Sequence, residues 1–160
     1  MRTAVTIFTI VVHLLLADAV TKEIAAKALK GSAAFSVVPD LFAFAYVENR
    51  GCAWGLFQGQ VWPLAVFGSL ALAALVWKRR TVFGLSETGW RLWFGRISEV
   101  LLYAGILGNL LDRVFRGYVI DFLDFHWGAS HFPCFNLADT YISIAAGLLI
   151  ATSLFARKRK

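Results

Sequence analysis

Two aspartates lie in or beside apolar segments of this chain. Asp139 is two residues into the apolar run Leu137–Ala156, and Asp121 follows another apolar run, within residues 117–122. A carboxylate at a membrane-embedded position costs free energy, so such a group is more often functional than incidental. Two carboxylates that meet can share a proton and activate a water molecule. For Asp139 alone, the residues leave a second role open, that of a first-turn acid stabilised by the helix dipole.

The composition indicates an integral membrane protein. Of the 160 residues, 59% are hydrophobic and only 16% are charged, whereas a soluble domain carries about 25% charged residues. Four apolar runs approach the length of about 20 residues that a bilayer-spanning helix needs. We predict spans at about 4–25, 60–78, 96–113 and 136–156, in a single membrane-embedded domain covering residues 1–160.

The segment between the first two spans has a different pattern. Two short runs rich in β-branched and aromatic residues surround Pro39 and Asp40, and several glycines follow, which favours strands around a turn. We therefore predict a small β-element at about 32–59, with aromatic side chains at headgroup level. The predicted fold class is all-α integral membrane, with four transmembrane helices and a small extracytoplasmic β-cradle between the first and second helices.

The net charge of +6 comes largely from basic clusters that flank apolar runs, such as residues 78–80 and 157–160. Ten of the sixteen Lys and Arg residues fall on the side of the two termini, and the positive-inside rule therefore places both termini in the cytoplasm. Nucleic-acid binding is excluded because the basic residues are not interleaved with aromatic ones. The expected partners include membrane lipids.

More polar side chains fall at the same predicted depth, near the outer membrane interface. Asp18 and Lys22 are four residues apart, so an ion pair within one helix is the simplest interpretation. Asn109 and Asp112 share a helix face, and Asp112 also fits a solvated helix end. A polar cluster at this depth is either a functional site or a network that ties helices together.

Asp124 is interpreted as an ordinary loop carboxylate. Together with His126 and His131 it forms a possible set of metal ligands, but a five-residue histidine spacing in a loop is a weak signal. The adjacent Trp127 favours anchoring at the membrane surface instead. We expect no metal and no cofactor.

The two cysteines, Cys52 and Cys134, lack the spacing of a metal-binding pair. Both are predicted to lie outside the cytoplasm, where a disulfide is stable. An equally good interpretation is that each is simply a small apolar residue. The sequence leaves both alternatives open.

Two further function classes compete with an enzyme. An ion-coupled transporter also uses intramembrane acids, but it predicts carboxylates at mid-bilayer and an internal repeat, neither of which is seen. A scaffold protein would use the polar residues for helix packing. From the residues alone, these classes and a protease stay open.

Five motifs in chain order resemble those of lipoprotein signal peptidase, the bacterial signal peptidase II family of intramembrane aspartyl proteases. They begin at residues 18, 49, 108, 117 and 135 and read Asp-Ala-Val-Thr-Lys, Asn-Arg-Gly-Cys-Ala-Trp-Gly, Gly-Asn-Leu-Leu-Asp-Arg, Gly-Tyr-Val-Ile-Asp-Phe and Phe-Asn-Leu-Ala-Asp. The chain departs from the family at Cys52, where alanine is more usual, and at Thr140, where serine is common.

The resemblance implies a bacterial inner-membrane enzyme that removes signal peptides from prolipoproteins, cutting before a diacylglyceryl-modified cysteine. It implies Asp121 and Asp139 as the catalytic dyad, lipid-modified prolipoproteins as partners, and a monomeric multi-pass protein without cofactor. The motif matches assign substrate binding to Asn49, Gly51, Asn109, Arg113 and Asn136, and structural support to Asp18, Lys22 and Asp112.

Overall fold

The structure is a computed structural model that describes residues 2–128 and 130–156. The predicted basic tail at 157–160 lies outside the described residues. The described elements, in chain order, are α1 (Arg2–Leu29), β1 (Phe35–Val38), β2 (Phe42–Asn49), a 3₁₀ turn (Ala53–Gly55), α2 (Val61–Trp77), α3 (Arg79–Val82), α4 (Gly89–Arg116), β3 (Val119–Trp127), β4 (Ser130–His131) and α5 (Leu137–Ala156).

Among the described residues, three helical segments are long and apolar enough to cross a membrane. They are Thr3–Leu29, Gly89–Arg116 and Leu137–Phe155, and the apolar helix α2 is shorter. Large side chains such as Phe8 and Leu154 point outward and stay exposed on these helices, as expected for surfaces in contact with lipid. The helices α1 and α4 are longer at both ends than the predicted spans 4–25 and 96–113.

Small residues bring α4 against α1 and α5. A Cβ added at Gly105 would lie 2.5 Å from the carbonyl oxygen of Ala138, and one added at Gly108 would lie 2.7 Å from Oδ2 of Asp18. Close approach through small residues is the usual packing mode of membrane helices, where van der Waals contact replaces the hydrophobic effect. This contact places the start of α5 against the C-terminal half of α4.

A four-stranded antiparallel sheet in the order β1-β2-β3-β4 packs beside the helices. The sequence prediction confined the β-element to 32–59, and that boundary is wrong, because β3 and β4 come from the segment between α4 and α5. Residues 119–122 are buried without alternation. A strand that is buried on both faces reads as a short apolar run, which periodicity does not identify as a strand.

Two features of the chain set the start of β3. Gly117 ends α4 in the left-handed conformation, with φ 77°, and its N–H donates to the carbonyl of Arg113, a common helix C-terminus for glycine. The register then pairs Asn49 with Val119 and Val47 with Asp121. Asn49 and Asp121 are diagonal neighbours in this register, so both side chains project from the same face of the sheet.

Candidate active site

Asp121 lies in β3 and is 1% exposed. Its Oδ1 accepts a hydrogen bond of 2.7 Å from Nδ2 of Asn136, and its Oδ2 accepts one of 2.9 Å from Nδ2 of Asn49. Burial, followed by the nearby Asp139 carboxylate, raises the pKa of Asp121 to about 7, against the effect of the two amide donors. The side chain is therefore held rigidly and can carry a proton near neutral pH.

Asp139 occupies the third position of α5, and Asn136 caps that helix. The N–H of Asp139 donates to Oδ1 of Asn136 at 3.0 Å, and the N–H of Asn136 donates back to Oδ2 of Asp139 at 3.3 Å. This reciprocal pattern is a capping box. Asp139 is therefore the first-turn acid that the sequence left open as a second role. That role occupies only its Oδ2, while its Oδ1 accepts a 2.7 Å hydrogen bond from Nδ2 of Asn109.

Asn136 and Asn109 link the two carboxylates through their side-chain amides. The Nδ2 group of Asn136 contacts Oδ1 of Asp121 at 2.7 Å and Oδ1 of Asn109 at 3.2 Å, and Asn109 donates to Asp139. Asn136 is fully buried. The first aspartate comes from a strand and the second from a helix, and the two asparagines hold them together on one network.

Behind the asparagines lies a buried cluster of charges. Lys22 is 1% exposed, and its Nζ lies 2.7 Å from Oδ2 of Asp18 and 3.0 Å from Oδ2 of Asp112. It also donates to Oδ1 of Asn109 at 3.1 Å. The sequence interpreted Asp18 and Lys22 as a pair within one helix and Asp112 as a solvated helix end. Both interpretations are incomplete, because the cluster joins α1 to α4 in the interior.

Asp18 has a second partner that the sequence did not indicate. Its Oδ1 accepts a 3.0 Å hydrogen bond from the backbone N–H of Ala138. That N–H belongs to the first turn of α5, where helical amides have no partner within the helix. Asp18 consequently fixes the depth of the residue next to Asp139, and only the folded helix packing reveals this contact.

Arg113 connects α4 with the loop after β2. Its guanidinium donates to the carbonyl of Gly51 at 2.9 Å and to the carbonyl of Asn109 at 3.2 Å. The N–H of Gly51 donates to Oδ1 of Asn49 at 2.9 Å, which orients the Asn49 amide toward Asp121. A Cβ at Gly51 would lie 2.5 Å from the carbonyl oxygen of Leu56, so this turn requires glycine.

Two cavities meet at this network. One, of about 440 Å³, is lined by both Asp121 and Asp139 together with Asn49 and Arg113. The other, of about 810 Å³, runs between α2 and the α4–α5 pair, and Asp139 and Arg113 line it too. Most of its wall is apolar, with side chains such as Leu64, Phe67, Ile106 and Ile142. The cavity that holds the two aspartates is therefore continuous with the apolar groove.

The comparisons with known proteins agree with this geometry. The sequence model of the family described as signal peptidase (SPase) II matches residues 10–155. The chain belongs to the signal peptidase II family. Family membership identifies the chain as a protease, and the pair formed by the buried Asp121 and the partly buried Asp139 fits the aspartic type. With its apolar helices, it is a bacterial inner-membrane protein.

Relatives of the signal peptidase II family match nearly the whole chain. A lipoprotein signal peptidase of Shewanella loihica is 36% identical over 156 residues, covering 94% of this chain and 86% of the relative. One from Staphylococcus aureus is 34% identical over 145 residues, covering 91% and 85%. A solved bacterial membrane enzyme superposes with a TM-score of 0.80 at 33% identity, covering 97% of this chain and 93% of that one.

Two other sequence interpretations have an outcome in the structure. Both Cys52 and Cys134 are free thiols, so the structure favours the interpretation without a disulfide. Asp124 was interpreted as a loop carboxylate, which is wrong, because it lies within β3 and is buried. Its side chain meets His126 and His131, which the sequence prediction treated as the weaker alternative.

Proposed function

We propose that this chain is an aspartic endopeptidase that removes the signal peptide from diacylglyceryl-modified prolipoproteins, cutting before the lipidated cysteine. The observation that carries the proposal is the shared cavity lined by Asp121 and Asp139. Asn136 contacts both residues, because it accepts a hydrogen bond from the backbone N–H of Asp139 and donates one to the carboxylate of Asp121. The names of the relatives support the same substrate class.

The mechanism follows from two neighbouring carboxylates that resist double ionisation. With a single proton between them, the ionised aspartate takes a proton from a water molecule as that water attacks the scissile carbonyl. The protonated aspartate donates a hydrogen bond to the carbonyl oxygen as negative charge develops there. The pair titrates as one unit, so its apparent pKa values belong to both residues.

The asparagines and Arg113 would position the reacting groups. Asn49, Asn109 and Asn136 each donate to a carboxylate oxygen of the pair, which leaves fewer orientations open to either aspartate. Arg113 has further N–H donors beyond those bound to Gly51 and Asn109, and it lines both cavities. We assign it to holding the backbone carbonyls of the substrate, with Gly51 supplying the fixed loop.

The apolar groove suits a lipid-modified substrate. Each buried CH₂ of an acyl chain contributes about 0.8 kcal/mol, so extracting the chains into water would be costly. A groove of about 810 Å³ between α2 and α4 would accept apolar substrate segments while the bond to be cut lies beside Asp139. Asp18, Lys22 and Asp112 support the wall of the site from inside.

The membrane arrangement belongs to the same proposal. We infer that α2, with 17 residues, is the fourth span, since bilayer helices range from about 17 to 25 residues. The sheet then forms an extracytoplasmic cradle above the site, and both termini are cytoplasmic. We further propose a single domain covering 1–160 that acts as a monomer without cofactor.

The test is cleavage by purified protein in detergent or lipid of a diacylglyceryl-modified prolipoprotein and of its unlipidated form. We expect cleavage of the lipidated substrate only. Asp121→Asn and Asp139→Asn should each abolish turnover with folding retained, while Asp40→Asn, at an exposed turn position, serves as the matched control and stays active. Full turnover by either dyad variant, or equal cleavage of the unlipidated form, contradicts the proposal.

A further inference from the structure

The β3–β4 hairpin carries a second cluster of chemically competent side chains. Asp124 and His126 are two residues apart on β3, and side chains two apart on a strand share a face. His126 is paired directly with His131 of β4, which places their side chains side by side. The backbone register therefore gathers one carboxylate and two imidazoles without any contribution from the Asp121–Asp139 pair.

The distances within this cluster are those of a ligand set. Nδ1 of His131 lies 3.0 Å from Oδ1 of Asp124, and Nδ1 of His126 lies 3.5 Å from Oδ2 of the same carboxylate. One donor atom from each residue falls within 4.8 Å of the others. In a tetrahedral zinc site with ligands about 2.0–2.1 Å from the ion, two ligand atoms are about 3.3 Å apart. The two separations from Asp124, 3.0 and 3.5 Å, lie on either side of that spacing.

An independent observation singles out His126. Its Nδ1 is buried and, among the residues that the structure describes, has no hydrogen-bond partner. The 3.5 Å approach to Asp124 does not have hydrogen-bond geometry. A buried unsatisfied nitrogen is destabilising, and such groups in native structures point to a missing partner such as an ion. The two imidazole rings stack at 5.0 Å, which keeps both nitrogens on the carboxylate side.

We propose that Asp124, His126 and His131 form a Zn²⁺ site with two imidazole ligands, one carboxylate and a fourth position open to water. Nitrogen donors with a single carboxylate suit zinc, whereas Mg²⁺ and Ca²⁺ need more oxygen ligands. The exposed fraction of the His131 side chain, 56%, gives the ion a path from solvent. The ion binds only the hairpin and takes no part in the aspartic mechanism.

The site would tie the hairpin to the wall of the substrate cavity. Phe132 follows His131 directly, lines the cavity that holds Asp121, and makes an edge contact with Trp54 at 5.5 Å between ring centroids. Zinc across β3 and β4 would restrict both strands at this point. Amide hydrogen exchange at residues 125–128 and 130–132 should therefore slow when zinc binds.

The experiment uses full-length protein purified in detergent without a histidine tag and stripped with a chelator. Zn²⁺ is then titrated in competition with a chromogenic chelator. We expect one equivalent to bind the wild type and affinity to fall by at least about 100-fold in His126→Asn and His131→Gln, since even indirect ligand support is worth about 10- to 100-fold. His131 is exposed, so its variant keeps the fold, which circular dichroism checks.

Two controls make the outcome decisive. His13→Gln changes an exposed histidine whose Nδ1 lies 2.7 Å from the carbonyl oxygen of Thr9 in its own helix, and the zinc affinity of this variant should equal that of the wild type. A Cys52→Ser/Cys134→Ser variant should also retain binding. The proposal is overturned if the wild type binds no stoichiometric zinc, if His131→Gln binds as tightly as the wild type, or if the thiol variant loses binding.

Discussion

Replacing Asp121 with asparagine should change how the stability of the protein depends on pH. The carboxyl has an ordinary pKa of 3.8, and in the folded protein burial raises that pKa to about 7. A group with a raised folded-state pKa contributes stability that is complete below pH 3.8 and is lost as pH rises through 7. Between about pH 4 and 7 the folded state binds more protons than the unfolded state, so wild-type stability should fall across this window.

The magnitude follows from the interval between the two pKa values. At about 1.4 kcal/mol for each pH step, ionising Asp121 removes at most about 4 kcal/mol of folding free energy. The asparagine variant lacks this titration. In this variant an NH₂ group replaces an oxygen that accepts from Asn49 or Asn136, and those two amides cannot turn because Gly51 and Asp139 fix them. The resulting loss of stability does not vary with pH, so it does not affect the slope of stability against pH.

The assay is equilibrium unfolding in detergent micelles at several values between pH 4 and 8, for the wild type, Asp121→Asn and the exposed turn control Asp40→Asn. The stability difference between wild type and Asp121→Asn should shift against the wild type as pH rises. Asp40→Asn should follow the wild type. If the difference is flat, or shifts in favour of the wild type, then Asp121 is not a buried, proton-carrying carboxyl and the reasoning fails.

Three further substitutions probe the surroundings of the site. Lys22→Met should destabilise by about 3–5 kcal/mol, because it leaves the buried carboxylate of Asp18 without its ion-pair partner, and chemical denaturation measures this. Gly105→Ala should cost about 1–3 kcal/mol by overpacking, since its Cβ would lie 2.5 Å from the Ala138 carbonyl, whereas Gly147→Ala meets nothing within 4 Å and should be tolerated. Equal stabilities would refute this packing. Arg113→Ala should lower kcat/KM by about 10- to 100-fold, the value of a charged hydrogen bond, and unchanged kinetics would remove it from the site.

The sequence predicted the long helices well because each of them coincides with a long apolar run. Each described helix α1, α2, α4 and α5 overlaps a predicted span, and helix ends differ where polar residues continue a helix beyond the bilayer. The strand β3 was missed for the opposite reason. It is buried on four successive residues and interrupted by Asp121 and Asp124, so period-2 alternation was not available as a signal.

The candidate site followed from the sequence only in outline. Residue types and motif order indicated which side chains act together, but the role of Asn136 as a bridge to Asp121 and that of Asp18 as acceptor for the Ala138 N–H depend on contacts between residues 15 and 120 positions apart. Local patterns carry no information about such pairs. The sequence indicated the cluster on the β3–β4 hairpin only as the weaker alternative, and the register of His126 and His131 shows why these side chains come together.

The two sets of carboxylates are compensated in different ways. Asp18 and Asp112 share the ammonium of Lys22 at 2.7 and 3.0 Å, and Asp112 also pairs with Arg116 at 3.0 Å, so a positive charge lies against each of these carboxylates. Within residues 2–128 and 130–156, Asp121 and Asp139 have no ion-pair partner within 4.0 Å and receive only amide donors. Neutral donors orient a carboxylate but do not cancel its charge, so retaining one proton is the least costly way to keep the pair out of water. Lys22 contacts Asn109, and Asn109 in turn contacts Asp139, so the ammonium does not pair with Asp139 directly and the proton that the proposed mechanism uses stays on the pair.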